Sequence, residues 1–413
     1  MEGSSASTDI SALTRLCPLC GSDKGRLQEE LHFALFDNTP VSGHCRLVSC
    51  SRCGFGFFDT QSKQADFDRY YEQNAYYCTA TTAGTGGIGT KEQVRFEMVA
   101  ERISPQLLTQ DAVIIDVGCA KGGLLKVLAQ RGFTRLYGVD MLPECISYIQ
   151  RTMVISAELG SALSLPFPDL WADAMIYSHV IEHVIDLQSL IAAAHEKLAD
   201  RGILYVEVPD ASEYGEHTVY PFQDFYLEHV NHFSLSTLSA LFCSAGFSVV
   251  NSGKYALEAP AGKVPCVWAV FRKGYCPPET PDRALERHLH KYVSWSRNHP
   301  ANHRFARLAA DRTPLYLWGI SQYAMLSLGQ SPICNCNIRG FVDKDPSKRM
   351  RTIRGNPINS PDALRNTGPD CAVLVTAPGY EASIREELDQ MGFGGTVLDA
   401  SGAVIGGQTV DDE

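Results

Sequence analysis

The chain has 413 residues, enough for two large domains or for two large domains and a small one. Its formal net charge is −11 with no basic stripe, which argues against nucleic acid because phosphates are bound through Lys and Arg. No stretch approaches the roughly 20 apolar residues that cross a bilayer, and the polar N-terminus lacks a signal-peptide pattern. We therefore expect a cytoplasmic protein that does not span a membrane and acts on a small molecule.

Four of the 14 cysteines form two Cys-x-x-Cys pairs, separated by 29 residues. They are Cys17, Cys20, Cys50 and Cys53. Two such pairs can supply the tetrahedral set of thiolates that zinc favours, and Cys45 is a competing ligand. Four unrelated buried cysteines or a redox dithiol are the alternatives. Because the set contains no histidine, carboxylate or open position, we predict structural zinc in a module over residues 1–78.

A glycine-rich loop follows a strand pattern at 113–117, within alternating strand and helix patterns typical of a parallel sheet. The loop contains Gly118, Ala120 and Gly122, and Asp140 ends the next strand pattern. Glycines there let a cofactor approach the backbone, and an acidic residue at that distance can accept both ribose hydroxyls of an adenosine cofactor. The spacing is not G-x-G-x-x-G, which disfavours a pyrophosphate-binding loop, and an empty strand–turn–helix is the alternative.

The loop, with Asp116 before it, resembles motif I of class I S-adenosylmethionine (SAM) methyltransferases. The stretches Ser178-His179-Val-Ile-Glu182-His183 and 197–210 follow in the order typical of that family. The resemblance implies an α/β, Rossmann-like methyltransferase domain, which we place at 79–277. It also implies a set of SAM-binding residues: Asp116, Gly118, Ala120, Gly122, Asp140, Met141, Ser161, Ala162, Ser178 and His179.

Strand patterns at 247–257 and 267–272 predict an antiparallel end to this sheet, and a proline-rich break follows at 274–282. A second strand–helix alternation then begins, which predicts a smaller Rossmann-like α/β domain over 278–413. Its Gly319 turn is too weak a signal for a second dinucleotide site.

A cluster of titratable residues at 226–234 contains Tyr226, Glu228 and His229. Histidine has the side-chain pKa closest to neutrality, and an adjacent Glu or Tyr can orient its ring, so the cluster has the parts of a general base. Polar residues at the lip of a sheet are the alternative.

The order of the Cys-x-x-Cys module, the SAM domain, this cluster and the trailing α/β domain resembles the three-domain C-methyltransferases of nucleotide-linked 4-keto deoxysugars. The resemblance implies His229 as the base, with Glu228 and Tyr226 beside it, and a third domain that covers the substrate. It also implies a tyrosine of the zinc module over the active site. We choose Tyr77 from the run Tyr70, Tyr71, Tyr76 and Tyr77, which stacked core or surface tyrosines explain equally well.

At 261–268 the chain departs from the Gly-Gly-Ser-Leu-Arg-like strand of that family. Two alternatives therefore remain: an O- or N-methyltransferase acting on a sugar or another small metabolite, and a non-catalytic SAM-binding scaffold. We expect a monomer or a homodimer.

Overall fold

A computed structural model describes residues 8–73, 90–277 and 283–405. The strands of the described residues form three sheets. They are β1 (Thr8–Ile10), β2 (Gly25–His32), β3 (His44–Cys50), β4 (Gly56–Asp59), β5 (Val113–Val117), β6 (Arg135–Asp140), β7 (Ser156–Leu159), β8 (Ala172–Ser178), β9 (Leu198–Pro209), β10 (Asn231–His232), β11 (Phe247–Ala259), β12 (Gly262–Lys273), β13 (Leu315–Trp318), β14 (Ile338–Val342), β15 (Thr352–Ile353), β16 (Asn356–Asn359), β17 (Ala372–Val375) and β18 (Thr396–Leu398).

The α-helices of the described residues flank these sheets, and none of them is long and apolar enough to cross a membrane. They are α1 (Gln64–Gln73), α2 (Thr90–Ile103), α3 (Gly123–Gln130), α4 (Pro143–Thr152), α5 (Leu187–Lys197), α6 (Leu235–Cys243), α7 (Ala284–Arg297), α8 (Ala301–Asp311), α9 (Gln322–Gln330) and α10 (Glu381–Gln390).

The first sheet is antiparallel, with the strand order β1-β2-β3-β4-β10. Its last strand comes from much later in the chain, since Asn231 pairs with Phe57 and His232 pairs with Gly56. The N-terminal sheet therefore takes a strand from within the range predicted for the SAM domain.

The second sheet has the order β11-β12-β9-β8-β5-β6-β7. The five strands from β9 to β7 are parallel, whereas β12 and β11 are antiparallel, as the strand patterns predicted. Strand β5 is buried along its whole length, as expected for a parallel strand covered on both faces. The chain continues from β5 to β6 on one side and later adds β8 on the other, so a ligand-binding crevice is expected where the carboxyl ends of β5 and β8 diverge.

The third sheet has the order β15-β16-β14-β13-β17-β18 and is parallel apart from the β15–β16 pair. Helix α9 follows β13 and packs against β2 of the first sheet. Buried apolar residues of the first sheet, such as Leu47, and of the third sheet, such as Leu317, join those of the segment before β10 in one core cluster.

Asn231 fixes the loop after β8. Its side-chain amide donates to the carbonyl oxygens of Ile181 and Val184, each at 2.8 Å, and its oxygen accepts from Arg15 at 2.8 Å. Arg15 also donates to the carbonyl of Ile185 at 2.7 Å. Since Asn231 is 2% exposed, water cannot replace these partners.

We expect Asn231→Ala to lower the free energy of unfolding by about 2–4 kcal/mol, because buried carbonyls lose their donors. Urea unfolding followed by circular dichroism measures this loss. Asn251→Ala is the matched control, since the exposed Asn251 side chain bonds only its neighbour Ser252 among the described residues, and it should cost at most about 0.5 kcal/mol. Equal losses in the two variants would contradict this account.

Candidate functional site

A cavity of about 370 Å³ lies at the crevice where β5 and β8 diverge. That volume is within the range of small-molecule sites, roughly 300–1,000 Å³. Among its lining residues are eight that the sequence analysis singled out: Gly118, Ala120, Asp140, Met141, Ser161, Ala162, His179 and His229. The predicted Asp116, Gly122, Ser178, Tyr226 and Glu228 are not among them. Tyr77 lies outside the described residues.

The glycine-rich loop is shaped by Asp140. One carboxylate oxygen of Asp140 accepts from the Ala120 N–H at 2.8 Å, and the other accepts from the Leu142 N–H at 2.9 Å. Gly118 has a φ of 76°, and a Cβ there would lie 2.7 Å from the Val180 side chain. Glycine at 118 therefore allows both the left-handed turn and the close approach of the loop after β8.

Three predicted residues lie behind the cavity lining. Asp116 is the second-to-last residue of β5, where burial raises its pKa to about 7 although the charge of Arg95 opposes this. Gly122 has a φ of 75° and precedes α3. Ser178 accepts from Arg95 Nη1 at 2.8 Å and donates to Glu207 Oε1 at 3.2 Å. Arg95 of α2 therefore ties this helix to the ends of the central strands.

Glu207 is a buried charge that the sequence analysis missed. It has no exposed surface and accepts from Tyr205 Oη at 2.6 Å and from Arg102 Nη1 at 2.9 Å. Burial would raise its pKa, but the charges of His179 and Arg95, together with hydrogen bonds from Tyr205 and Tyr255, outweigh that effect and lower it. The signal in the sequence is a lone charged residue within the apolar run at 203–208.

His179 lies between two buried carboxylates. Its Nδ1 is 3.2 Å from Glu182 Oε1, and its Nε2 is 3.5 Å from Glu207 Oε1. Its φ of 56° is a left-handed conformation, uncommon for a residue with a side chain and often found at functional sites. Burial would lower the pKa of His179, but hydrogen bonds with Cys266 and Glu182 outweigh it and raise the pKa to about 10.

In addition to His179, the imidazole rings of His183 and His229 lie at the cavity. The rings of His183 and His229 meet edge to face with centroids 4.8 Å apart, and the Tyr226 ring packs 4.9 Å from His229. His183 Nδ1 hydrogen-bonds the Tyr71 hydroxyl and lies 3.1 Å from the carbonyl oxygen of Glu228. Tyr71, His183 and His229 all line the cavity. Within the part of the tyrosine run that the structure describes, Tyr71 is therefore the tyrosine at the site.

Glu228 does not orient the His229 ring as we hypothesised. Its carboxylate accepts from Gln322 Nε2 at 3.0 Å, and no hydrogen bond joins it to His229 in the described residues. Burial raises the pKa of Glu228, although hydrogen bonds from Tyr70, Gln322 and Tyr71 act against this shift. The pKa of His229 lies well below its usual value because burial and the neighbouring histidines disfavour its charged form.

The four predicted thiols come together beside the first sheet, and their sulfur atoms lie within 4.8 Å of one another. Cys17 Sγ is 3.6 Å from Cys53 Sγ, and Cys20 Sγ is 3.5 Å from Cys50 Sγ. These distances exclude a disulfide, which needs about 2.05 Å. Cys45 is buried in the core and is not in this group.

Each Cys-x-x-Cys pair ends in the same backbone turn. Gly21 and Gly54 follow the pairs with φ near 70°, at 70° and 74°, and their N–H groups donate to the carbonyls of Cys17 and Cys50. The glycine directly after each pair is the sequence signal for this turn.

We expect Glu182→Gln to lower the pKa of His179, because the ring loses one of the two carboxylates that stabilise its charge. NMR titration of ¹³C-labelled histidine rings measures this pKa, and the wild-type ring should stay charged through neutral pH. Glu196→Gln, on an exposed face of α5, is the control and should leave the titration unchanged. A His179 that titrates near 6.5 in the wild type would contradict the arrangement of charges.

Comparisons with known proteins agree with this site. A family model described as "Methyltransferase domain" matches residues 92–252. A Mycobacterium tuberculosis protein named "Probable S-adenosylmethionine-dependent methyltransferase" is 25% identical over 156 residues, which cover 37% of this chain and 54% of that protein. The ajmaline N-methyltransferase of Rauvolfia serpentina is 29% identical over 85 residues, 19% of this chain and 29% of that enzyme.

The chain thus spans about half the length of the first of these relatives. Among solved structures, the N-methyltransferase NodS of Bradyrhizobium japonicum matches with a TM-score of 0.35 and 18% identity, over 45% of this chain and 97% of that one. The family match falls on the second sheet and its glycine-rich loop. Residues 92–252 therefore match a methyltransferase domain, and the chain is similar over this range to SAM-dependent methyltransferases.

Proposed function

We propose that the chain transfers the methyl group of SAM to a small acceptor held in the cavity at the ends of β5 and β8. The observation that carries this proposal is the shared lining of the cavity, which includes Gly118 and Asp140 of the predicted cofactor site together with His229. A methyl donor and an acceptor must meet in such a space, because methyl transfer gains most from proximity and orientation.

The cavity fits an adenosine cofactor. Each oxygen of Asp140 accepts one backbone N–H, and a carboxylate has further lone pairs that can accept ribose hydroxyls. The open turn at Gly118 leaves backbone accessible, and Met141 and Ala162 add apolar surface to the lining. These residues would hold SAM, which supplies an electrophilic methyl group when bound.

We assign the role of general base to His229. In the described residues no hydrogen bond engages its ring, and its low pKa keeps the ring neutral at pH 7, ready to accept a proton. Tyr71 lines the same cavity and Tyr226 packs on the ring. A hydroxyl of either tyrosine would donate to an oxygen on which negative charge develops.

We further propose a nucleotide-linked 4-keto deoxysugar as the acceptor, on the resemblance described above. His229 would take a proton from the carbon beside the ketone, and the resulting enolate carbon would form the new bond to the methyl group. The methyl–sulfur bond of SAM would break with its electron pair left on sulfur, and the proton would stay on His229 until solvent removes it.

Mass spectrometry of the protein incubated with SAM and a panel of nucleotide-linked 4-keto and 4-hydroxy sugars tests this function. NMR then locates any added methyl group. We expect a methyl on the carbon beside the ketone. A methyl on oxygen or nitrogen would overturn carbon methylation, and no product from any acceptor would favour a SAM-binding scaffold.

We expect His229→Asn to reduce turnover by about 100-fold or more, because a general base contributes that much, while SAM binding measured by calorimetry is retained. His290→Asn, at an exposed position on α7, is the control. Since the pKa of His229 is lowered, the acid limb of the wild-type kcat/KM profile should lie below pH 6.5. Full activity in His229→Asn would remove this residue from the role of base.

We also propose that the four thiols hold structural zinc. A tetrahedral site with metal–sulfur distances of about 2.3 Å has sulfur–sulfur edges of about 3.8 Å, close to the two separations observed. All four ligands would be cysteines, which leaves no position for a substrate.

We expect one zinc per chain by elemental analysis, and a lower unfolding temperature after chelation, because metal binding adds to the free energy of folding. Cys20→Ser should lose the metal. Cys45→Ser is the matched control, since this buried thiol lies outside the group and its loss should leave the zinc content unchanged. Zinc retained in Cys20→Ser but lost in Cys45→Ser would assign the ligands differently.

A further inference from the structure

We propose that Gln322, the first residue of helix α9 after strand β13 of the third sheet, is a positioning residue for the catalytic pocket and acts through Glu228. This inference rests on the proposed methyl transfer for its kinetic consequences only. Its structural basis is independent of the substrate.

The turn that presents Gln322 is fixed by its own contacts. Asp343 Oδ2 accepts from the Ile320 N–H at 2.8 Å and from Lys348 Nζ at 3.1 Å. Ser321 caps α9 by accepting from the Ala324 N–H at 3.1 Å. Asp343 therefore holds this turn, and the start of α9 has a defined position.

The side-chain amide of Gln322 donates two hydrogen bonds to residues beside the pocket. Nε2 donates to Glu228 Oε1 at 3.0 Å and to Tyr70 Oη at 3.2 Å. Helix α9 is thereby joined both to the segment that carries His229 and to α1. The amide orientation follows from the partners, because a carboxylate accepts a hydrogen bond and only the NH₂ group can donate one.

The oxygen atom of the Gln322 amide indicates that this position is kept polar for the sake of the bond to Glu228. Oε1 of Gln322 is buried and has no hydrogen-bond partner among the described residues. A leucine of similar size would avoid this unpaired polar atom, so the chain accepts a loss of stability at this position. What the glutamine provides in return is the bond to Glu228.

From Glu228 the contacts reach the cavity lining. The backbone carbonyl of Glu228 lies 3.1 Å from His183 Nδ1, and hydrogen bonds from Tyr70 and Tyr71 converge on its carboxylate. Tyr71 also bonds His183 directly. Because Gln322 itself does not line the cavity, it acts on Tyr71 and His183 through Glu228 and is not a catalytic residue.

The test compares Gln322→Leu with Gln330→Leu in the full chain. Gln330 ends the same helix and also joins it to the N-terminal part, accepting from the His32 N–H at 3.2 Å, but it lies outside the cavity. We expect Gln322→Leu to lower kcat about 10-fold, equivalent to about 1.4 kcal/mol of transition-state stabilisation, with SAM affinity unchanged. Gln330→Leu should leave both values at the wild-type level.

A second readout needs no substrate. In spectra of the chain's 12 histidine rings labelled with ¹³C, Gln322→Leu should shift the His183 signal, and Gln330→Leu should shift only that of His32. His183→Gln and His32→Asn assign these two signals. An unmoved His183 signal, or equal losses of kcat in the two variants, would overturn the positioning role. Absence of methyl transfer in the wild type with a shifted His183 signal would instead count against the proposed function alone.

Discussion

The backbone of Asn231 and His232 joins the N-terminal sheet to the segment that carries His229. They form β10, which pairs with β4, and the Asn231 side chain binds the loop that follows β8. Both loops that contribute histidines to the cavity are therefore anchored at one point. Arg15 completes this anchor by donating hydrogen bonds to Asn231 Oδ1 and to the carbonyl of Ile185. It lies two residues before Cys17, the first of the four thiols. A metal that ordered the thiols would order this anchor as well, although no substrate would contact it.

At the wall of the cavity, charge is buried rather than exposed. Glu207 and Glu182 have almost no accessible surface, and His179 lies between them in a left-handed conformation. Removing one charged side chain of this group would leave the others uncompensated in a medium of low dielectric. The free energy lost in that way is far larger than the net stabilisation that the intact pair contributes. The arrangement thus explains how a strained backbone at His179 persists: the surrounding charges fix the ring on both sides.

The parts of the site that the sequence predicted are those whose members are close together in the chain. The turn at Gly118 with Asp140, and each Cys-x-x-Cys pair, are local patterns whose geometry follows from spacing. Contacts across the fold gave no such signal: Tyr71 meets His183, and Gln322 meets Glu228, only because three sheets share their packing. Adjacency in the sequence also suggested a contact between Glu228 and the His229 ring that the structure does not contain, since neighbouring residues in a turn direct their side chains differently. Choosing one tyrosine from the run at 70–77 required knowing where α1 ends, which periodicity does not determine.

The shared core bears on how an acceptor would enter. Leu31 of the first sheet, Val230 beside the cavity and Leu317 of the third sheet belong to one buried cluster. Helix α9 approaches β2 so closely that a Cβ at Gly329 would lie 1.8 Å from the His32 carbonyl oxygen, and Met325 accepts from the Ala34 N–H at 2.8 Å. Swinging the third sheet away from the first would expose this core and break these contacts. The Gln322–Glu228 bond is therefore part of a preformed site, in which an acceptor would meet side chains already in position, and not one assembled by closure of separate bodies.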